Sequence, residues 1–458
     1  MWIGKLYGIL CVAITCQDKS NPIIPNLTGV LEKYTHKINQ CLIIGKYDEC
    51  PPDTIETLSF ALGTRFVQKQ DPNIGNLILL GVVIRMARRM GYHRDASYFP
   101  KISPFDGEMR RRVWHLITDM DTMMSLSVGL PRLLKESQSD TARPRNLLDE
   151  DFDEDSTALP PSRPDHLHTP CQWLLANNKM NSVFGAIADF STSVRLPSYA
   201  DAMKLDKLLD DTYASLPENL HERSLEMSLL DDTRIIFHRI LLALTRSRAK
   251  CVLHYRYLAP ARTEEKFSYS RDACVHACLH IHEYHCLVNK EIQPGGRLFS
   301  DRWRTRGPMI NGMFMSATTM LCLELNYDIL VDLADSKHIP LAENLRMQIV
   351  EALQNSYQHW AASSEGSDGS KKTVQVLDLI LIKIRGQKQT TPSGPAASIP
   401  TFPGPLTQST SPAWHALDQG LSNPLDHEPY HSAPYSNMEP GFLDLVCTFD
   451  FMCFQTNR

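Results

Sequence analysis

The sequence lacks the long apolar runs of a membrane protein and the charge excess of a chain that binds nucleic acid through a strongly basic surface. No run of apolar residues reaches the roughly 20 that a helix needs to cross a bilayer. The formal net charge is −5 over 458 residues, which argues against binding by bulk positive charge. The 11-residue apolar run from Leu6 to Cys16 resembles a weak secretory signal, but Ile14-Thr15-Cys16 is not a small-x-small cleavage pattern. We expect a buried helix there and no membrane partner.

The 12 cysteines lack the close, repeated spacing of a disulfide framework or a zinc site. We interpret them as reduced thiols, several of them in the core. One predicted helix carries Cys274, Cys278, His276 and His280 at four-residue steps, followed by Glu283. We predict no metal site on this face, because structural zinc sites use closer thiolate pairs. No resident metal or cofactor is therefore expected within the chain.

Catalytic motifs are also missing, and strand-like alternation is scarce. The sequence has no glycine-rich phosphate loop, no G-x-S-x-G elbow and no H-E-x-x-H pair, so we predict that the protein is not an enzyme. Hydrophobic residues make up 43% of the chain, enough for a large core. Helical periodicity extends to about Gly386, and it predicts an all-α fold, a multi-helix bundle of antiparallel neighbours.

Local signals mark several helix boundaries. Apolar residues recur at helical steps from Asn76 to Met90, and Gly91 follows as a left-handed C-cap. Ser103 is predicted as an N-cap, with Pro104 at the first helical position and Asp106 as the capping-box acid. That helix is expected to stop at Gly129-Leu130-Pro131. Further helices are predicted over Trp173–Phe190, Ala200–Leu216, Thr233–Tyr257, Ser270–Val288, Pro308–Leu333, Ala342–Ala362 and Lys371–Ile384.

These patterns divide the chain into five segments. We predict an N-terminal helical segment over residues 1–53, the first part of the main helical domain over 54–148, an acidic, proline-containing solvated loop over 149–169, and the helical remainder of that domain over 170–386. Residues 387–458 are rich in Pro, Ser and Thr and are predicted to be a disordered tail. Its end alternates acidic and aromatic residues from Glu439 to Phe454, which is typical of an acidic activation segment. A short docking helix is the alternative.

Two motifs resemble a known family. Residues 85–95 match the pattern R-x-A-x-x-x-G-x-H-R-D, and residues 103–114 match S-P-F-x-x-E-x-R-R-R-V-W. Both are similar to the fungal-specific transcription factor domain, the middle homology region of fungal zinc-cluster regulators. The trailing Asp121 and an S-x-x-x-G-x-P closure fit as well, and residues 253–258 and 314–325 resemble later helices of the family, so the resemblance covers roughly Thr54 to Gly386. The signature positions are Arg85, Arg89, Gly91, His93, Arg94, Asp95, Glu108, Arg110, Arg111, Arg112, Trp114, Asp121, Gly129 and Pro131.

The resemblance implies a nuclear regulator of RNA polymerase II transcription. Its expected partners are DNA, co-regulators or the transcription machinery, and a small-molecule inducer, and it is expected to form a homo- or heterodimer. Family members bind zinc and DNA through a six-cysteine cluster near the N-terminus. The early cysteines here, at positions 11, 16, 41 and 50, do not supply that spacing. A gene model that lacks its first exons, an alternative product, or a regulator without the module would all have this sequence. The alternative functions are an interaction protein that titrates a full-length regulator, and a small-molecule receptor built in the bundle's interior.

The signature arginines have two interpretations. They form a phosphate-contacting patch, or they form a partly buried lattice with carboxylates that fixes the angle between two helices. The interleaved acids favour the lattice. Glu108 lies one turn from Arg111 and Arg112, and Asp95 and Asp121 are predicted to accept paired hydrogen bonds from arginines of the facing helix. Trp114 is predicted as a core anchor of the same packing.

Overall fold

The computed structural model describes residues 1–15, 26–68, 73–194, 197–302, 308–331, 339–362 and 367–387. Within these ranges the regular structure is helical and no strand occurs, as predicted. The tail predicted over 387–458 lies outside the described residues, except for Gln387, which ends the last helix. The helices are α1 (Trp2–Thr15), α2 (Leu27–Ile44), α3 (Thr54–Gln68), α4 (Ile74–Arg89), α5 (Pro104–Val128), α6 (Pro170–Ser191), α7 (Tyr199–Ala214), α8 (Thr233–His254), α9 (Leu258–Ala261), α10 (Ser268–Glu291), α11 (Pro308–Val331), α12 (Glu343–Ala362) and α13 (Asp368–Gln387).

The helix boundaries around α5 follow the local sequence signals. The Ser103 hydroxyl accepts the backbone N–H of Asp106 at 3.0 Å and lies 2.9 Å from that residue's carboxylate, while Pro104 is the first helical residue. Gly91 and Gly129 have φ values of +78° and +73°. Glycine reaches this left-handed region without steric cost, so the left-handed cap predicted at Gly91 and the helix end predicted at Gly129 are confirmed. The later helices agree with their predicted ranges to within a few residues at each end.

Each helix packs mainly against helices that lie one or two places away in the chain order. α1 lies against α2 and α3, α5 against α4 and α6, and α10 against α8, α11 and α12. One cluster of buried apolar side chains extends from Cys11 in α1 to Ile380 in α13. The predicted N-terminal helix is confirmed, and it buries Cys11, Val12 and Ile14. None of the helices in the described ranges combines the length and apolar character needed to cross a bilayer.

The acidic segment after α5 agrees only in part with the solvated, self-repelling loop predicted for it. Asp151 accepts two hydrogen bonds from the Arg163 guanidinium at 2.7 and 2.5 Å. Phe152 is buried, and its ring centroid lies 5.6 Å from that of Phe105 on α5. Residues 153–155 are exposed as expected, and so are most of the residues from 157 to 168. Arginines pair with Asp149 and Asp151 and offset their charge, so the first part of the segment packs on α5 while most of the remainder faces solvent.

Candidate functional site

Asp95 is the centre of the first motif and lies in the turn between α4 and α5. Its carboxylate accepts two hydrogen bonds from Arg111 of α5, both 2.8 Å long. It also accepts the backbone N–H groups of Ser97 at 3.0 Å and Ala142 at 2.9 Å. The Arg111 guanidinium holds the pKa of Asp95 well below its ordinary value. The predicted paired bond is confirmed, and it joins the turn, α5 and the segment that follows α5.

Glu108 makes a second connection from the buried side of α5. Its side chain is fully buried, and its carboxylate accepts Arg112 Nε at 3.1 Å and the backbone N–H of Arg145 at 2.9 Å. The Arg112 side chain is only 1% exposed. Its guanidinium lies over the Phe152 ring at 5.1 Å and 3.6 Å from the Asp149 carboxylate. The local pairing predicted from spacing is confirmed. We call Asp95, Glu108, Arg111 and Arg112 the arginine–carboxylate network.

Two further signature arginines make contacts at the turn between α4 and α5. Arg110 donates a hydrogen bond to the Met90 carbonyl at the end of α4, and its guanidinium stacks over the Tyr92 ring at 4.7 Å. A cation at this position offsets the negative end of the α4 dipole. Arg94 forms an ion pair of 2.9 Å with Asp140, and both side chains are largely exposed. One arginine therefore caps a helix and the other makes a surface contact.

The remaining signature residues occupy different environments. Arg85 and Arg89 lie on the exposed side of α4. Trp114 is 3% exposed, which confirms its place in the core, and its ring centroid is 6.2 Å from that of His93. Burial lowers the pKa of His93. Pro131 is exposed, two residues after the left-handed Gly129.

The prediction for Asp121 was wrong. Its carboxylate accepts the backbone N–H of Leu134 at 2.6 Å and lies 3.4 Å from the Ser125 hydroxyl, instead of binding an arginine of the facing helix. The reason is the reversal at Gly129, which brings the following segment back along α5. Burial raises the pKa of Asp121 above its ordinary value.

Arg132 is an important residue that the sequence did not indicate. Its side chain is 3% exposed and forms paired hydrogen bonds with two carboxylates, Glu136 at 2.9 and 2.8 Å and Asp189 at 3.1 and 3.0 Å. A Cβ added at Gly185 of α6 would lie 2.5 Å from its Nη1 atom. The spacing to Glu136 offered a weak signal. Asp189, 57 residues away, offered none, because only the tertiary fold brings it close.

The arginines of the network and Arg132 are paired with carboxylates within the protein. Arg111, Arg112 and Arg132 each hold a carboxylate at hydrogen-bond distance. A buried guanidinium engaged in this way is poorly placed to bind a phosphate of DNA, which requires accessible cations. The geometry therefore favours the lattice interpretation for these three arginines. Its chemical consequence is rigidity, since charge-assisted paired bonds fix orientation as well as distance.

The histidine and cysteine face of α10 does not form one group. His276 is exposed and bonds the Asp272 carbonyl at 2.8 Å, four residues earlier in the same helix. His280 contacts the Glu222 carboxylate at 2.8 Å. The buried thiols of Cys274 and Cys278 instead meet Cys251 of α8. The sequence could not indicate Cys251 as a neighbour, because it lies 23 residues before Cys274 on another helix.

Comparison with known proteins agrees with the motifs. Residues 6–216 match the fungal specific transcription factor domain. Among curated proteins, the chain is similar to the Zn(2)-C6 fungal-type transcription factor pigI of Monascus ruber, with 45% identity over 84% of this chain and 47% of the relative. It is 38% identical to the Zn(2)-C6 fungal-type transcription factor mpsB of Macrophomina phaseolina over 86% of this chain and 54% of the relative.

A third relative has a name that refers to a gene cluster. The Equisetin cluster transcription factor eqxF of Fusarium heterosporum is 32% identical over 87% of this chain and 57% of its own length. The chain thus spans about half the length of these curated relatives. The matched domain begins at residue 6, well before Thr54, so it includes the helices of the N-terminal segment. No solved structure matches the chain.

Proposed function

We propose that this chain, which carries a fungal specific transcription factor domain, is the regulatory helical region of a fungal regulator of RNA polymerase II transcription. The observation that carries the proposal is the domain match over residues 6–216. Relatives named as transcription factors support it, because their similarity continues through more than four-fifths of the chain. We place the protein in the nucleus, and we assign it no enzymatic activity. An inducer and a dimer partner remain predictions of the family resemblance.

The network has a structural role in this proposal. Asp95 and Glu108 connect α5 to the turn before it and to the segment 139–152 after it. Because both carboxylates hold arginines, we propose that the arginine–carboxylate network fixes the shape of the regulatory domain and does not contact DNA phosphates. A rigid frame holds the rest of the domain in place, so that a bound partner changes the shape of the regulatory surface in one defined way.

An experiment in which the chain is brought to a promoter by another DNA-binding module tests regulation directly. The full 458-residue chain is fused to a heterologous DNA-binding module and placed at a reporter promoter in a fungal host. We expect reporter transcription to change several-fold relative to the module alone. A second fusion that ends at residue 387 shows whether residues 388–458 contain the predicted activation segment. An unchanged reporter, with the full fusion detected on the promoter, would contradict the proposed function.

The relatives' names suggest the class of target genes. One relative is named as the factor of the equisetin cluster and another as that of the fusarisetin A cluster. We propose that this chain likewise controls a group of adjacent biosynthetic genes. In a strain that lacks the gene, we expect the transcripts of neighbouring genes to change together. If the transcripts of neighbouring genes are unchanged while transcripts elsewhere in the genome are altered, the protein regulates transcription but does not control a group of adjacent genes.

A further inference from the structure

Three cysteine thiols meet in the core where α8 packs against α10. Cys251 lies on α8, and Cys274 and Cys278 lie one turn apart on α10; each is at most 3% exposed. Their sulfur atoms all lie within 4.8 Å of one another, and those of Cys251 and Cys278 are 3.5 Å apart. We call these residues the three-thiol cluster. It is a triangle of soft donors that water does not reach.

The size of this triangle suits a metal ion at its centre. Metal–thiolate bonds are about 2.3 Å long, so three sulfur ligands of a trigonal ion lie roughly 4 Å apart. The separation of 3.5 Å between Cys251 and Cys278, and separations of no more than 4.8 Å for the other two pairs, are compatible with that value. A small shift of side chains would suffice to coordinate an ion, and the helices that carry them are already packed against each other.

Two neighbours of the cluster also point to a ligand. The Met320 thioether of α11 lies 3.7 Å from Cys278 Sγ and supplies a fourth soft donor. Arg248, one turn before Cys251 on α8, lies over the Phe184 ring at 5.8 Å and has a buried Nη1 atom with no hydrogen-bond partner among the described residues. A buried guanidinium group normally has its donors satisfied. A metal–thiolate centre carries net negative charge, which a neighbouring guanidinium would offset.

We propose that the three-thiol cluster binds a single Cu(I) ion, with Met320 as an additional thioether ligand. Thiolate and thioether sulfur together select Cu(I), whereas structural zinc takes four ligands drawn from thiolate, imidazole and carboxylate groups. No imidazole or carboxylate in the described part of the chain joins the three thiols. Each coordinated thiol releases one proton to solvent as its thiolate binds the ion. This proposal stands independently of the proposed function in transcription.

The test is a competition for Cu(I). The full chain, purified reduced and without oxygen, is titrated with Cu(I) held by a chromogenic chelator. We expect one equivalent to transfer to the protein, with sulfur-to-copper absorption in the ultraviolet. Replacement of any one cluster cysteine by serine should lower the affinity by more than the 10- to 100-fold typical of groups around a metal site. The control variants C171S and C322S change buried cysteines outside the cluster and should bind as the parent does.

Two results would overturn the proposal. One is a chelator that keeps all of its copper against the folded parent chain. The other is a transfer of copper that the cluster variants do not weaken. Should a serine variant fail to fold, X-ray absorption on the copper-loaded parent chain decides the matter. A first shell of three or four sulfur atoms supports the site, and a shell that contains nitrogen or oxygen, or fewer than three sulfur atoms, refutes it.

Discussion

Two regions of the described bundle use different chemistry at their helix contacts. Around α5, ionised side chains make short, paired hydrogen bonds, as Arg111 does with Asp95 at 2.8 Å. Where Cys251 of α8 meets α10, the buried contact is made by thiols and apolar side chains. The first kind of contact is directional and costly to disturb, because a buried charge that loses its partner is poorly solvated. The second is adaptable, since thiols pack as small hydrophobic groups. Stability should therefore respond differently in the two regions.

The largest expected effect is at Glu108. The change Glu108→Ala removes the closest carboxylate of Arg112, whose side chain is 1% exposed. We expect a loss of about 3–5 kcal/mol in the free energy of unfolding, the usual cost of breaking a buried pair. The measurement is urea unfolding followed by circular dichroism. The matched change Cys278→Ala in the second region should cost only about 1 kcal/mol. Equal losses in the two variants would refute the contrast.

A smaller loss is expected at Asp95. The change Asp95→Asn keeps the size of the side chain but removes the charge that binds Arg111, and it should cost about 2 kcal/mol at pH 7. The folded pKa of Asp95 is lowered by the Arg111 bond, below an unfolded value of about 3.9. The stability that Asp95 contributes is thus present above about pH 4 and declines as the pH falls further.

The pH dependence gives the control for this variant. The difference in unfolding free energy between the parent chain and Asp95→Asn should be constant from pH 7 to pH 5 and should shrink towards pH 3. A difference that stays constant down to pH 3 would show that the lowered pKa of Asp95 does not stabilise the fold.

His280 should show the opposite pH dependence. The bond to Glu222 raises the pKa of His280, so its contribution is fully present below about pH 6.5 and is lost as the pH rises through the higher folded value. His280 is 30% and Glu222 39% exposed, and solvent screening limits the effect to about 0.5–1 kcal/mol. His280→Gln should therefore be destabilising at pH 5.5 and close to neutral at pH 8.5, measured by urea unfolding. Equal losses at both pH values would contradict this assignment.

The sequence was sufficient where chemistry depends on local spacing. Interactions between residues no more than one helical turn apart were predicted correctly. Examples are the cap at Ser103, the left-handed cap at Gly91, the helix end at Gly129, and the pairing of Glu108 with Arg112. The bond from Asp95 to Arg111 was predicted because the two motifs face each other. Asp121 was assigned wrongly and Arg132 was missed because their partners depend on how the chain folds back after α5. The same limit applies to Cys251, whose thiol neighbours belong to another helix.

The smallest expected effect is at Arg94, and it tests whether burial or charge pairing explains the strength of the network. Arg94 and Asp140 form an ion pair of 2.9 Å, comparable in length to those of the network, but their side chains are 51% and 39% exposed. We expect Arg94→Gln to change the free energy of unfolding by no more than about 0.5 kcal/mol, and less at high salt. Urea unfolding at low and high ionic strength is the measurement. A loss as large as that of Asp95→Asn would mean that pairing itself, rather than the exclusion of water, stabilises this part of the molecule. If only the variants of the buried pairs lose stability, the exclusion of water explains the difference, since the charges and the distances of the pairs are alike.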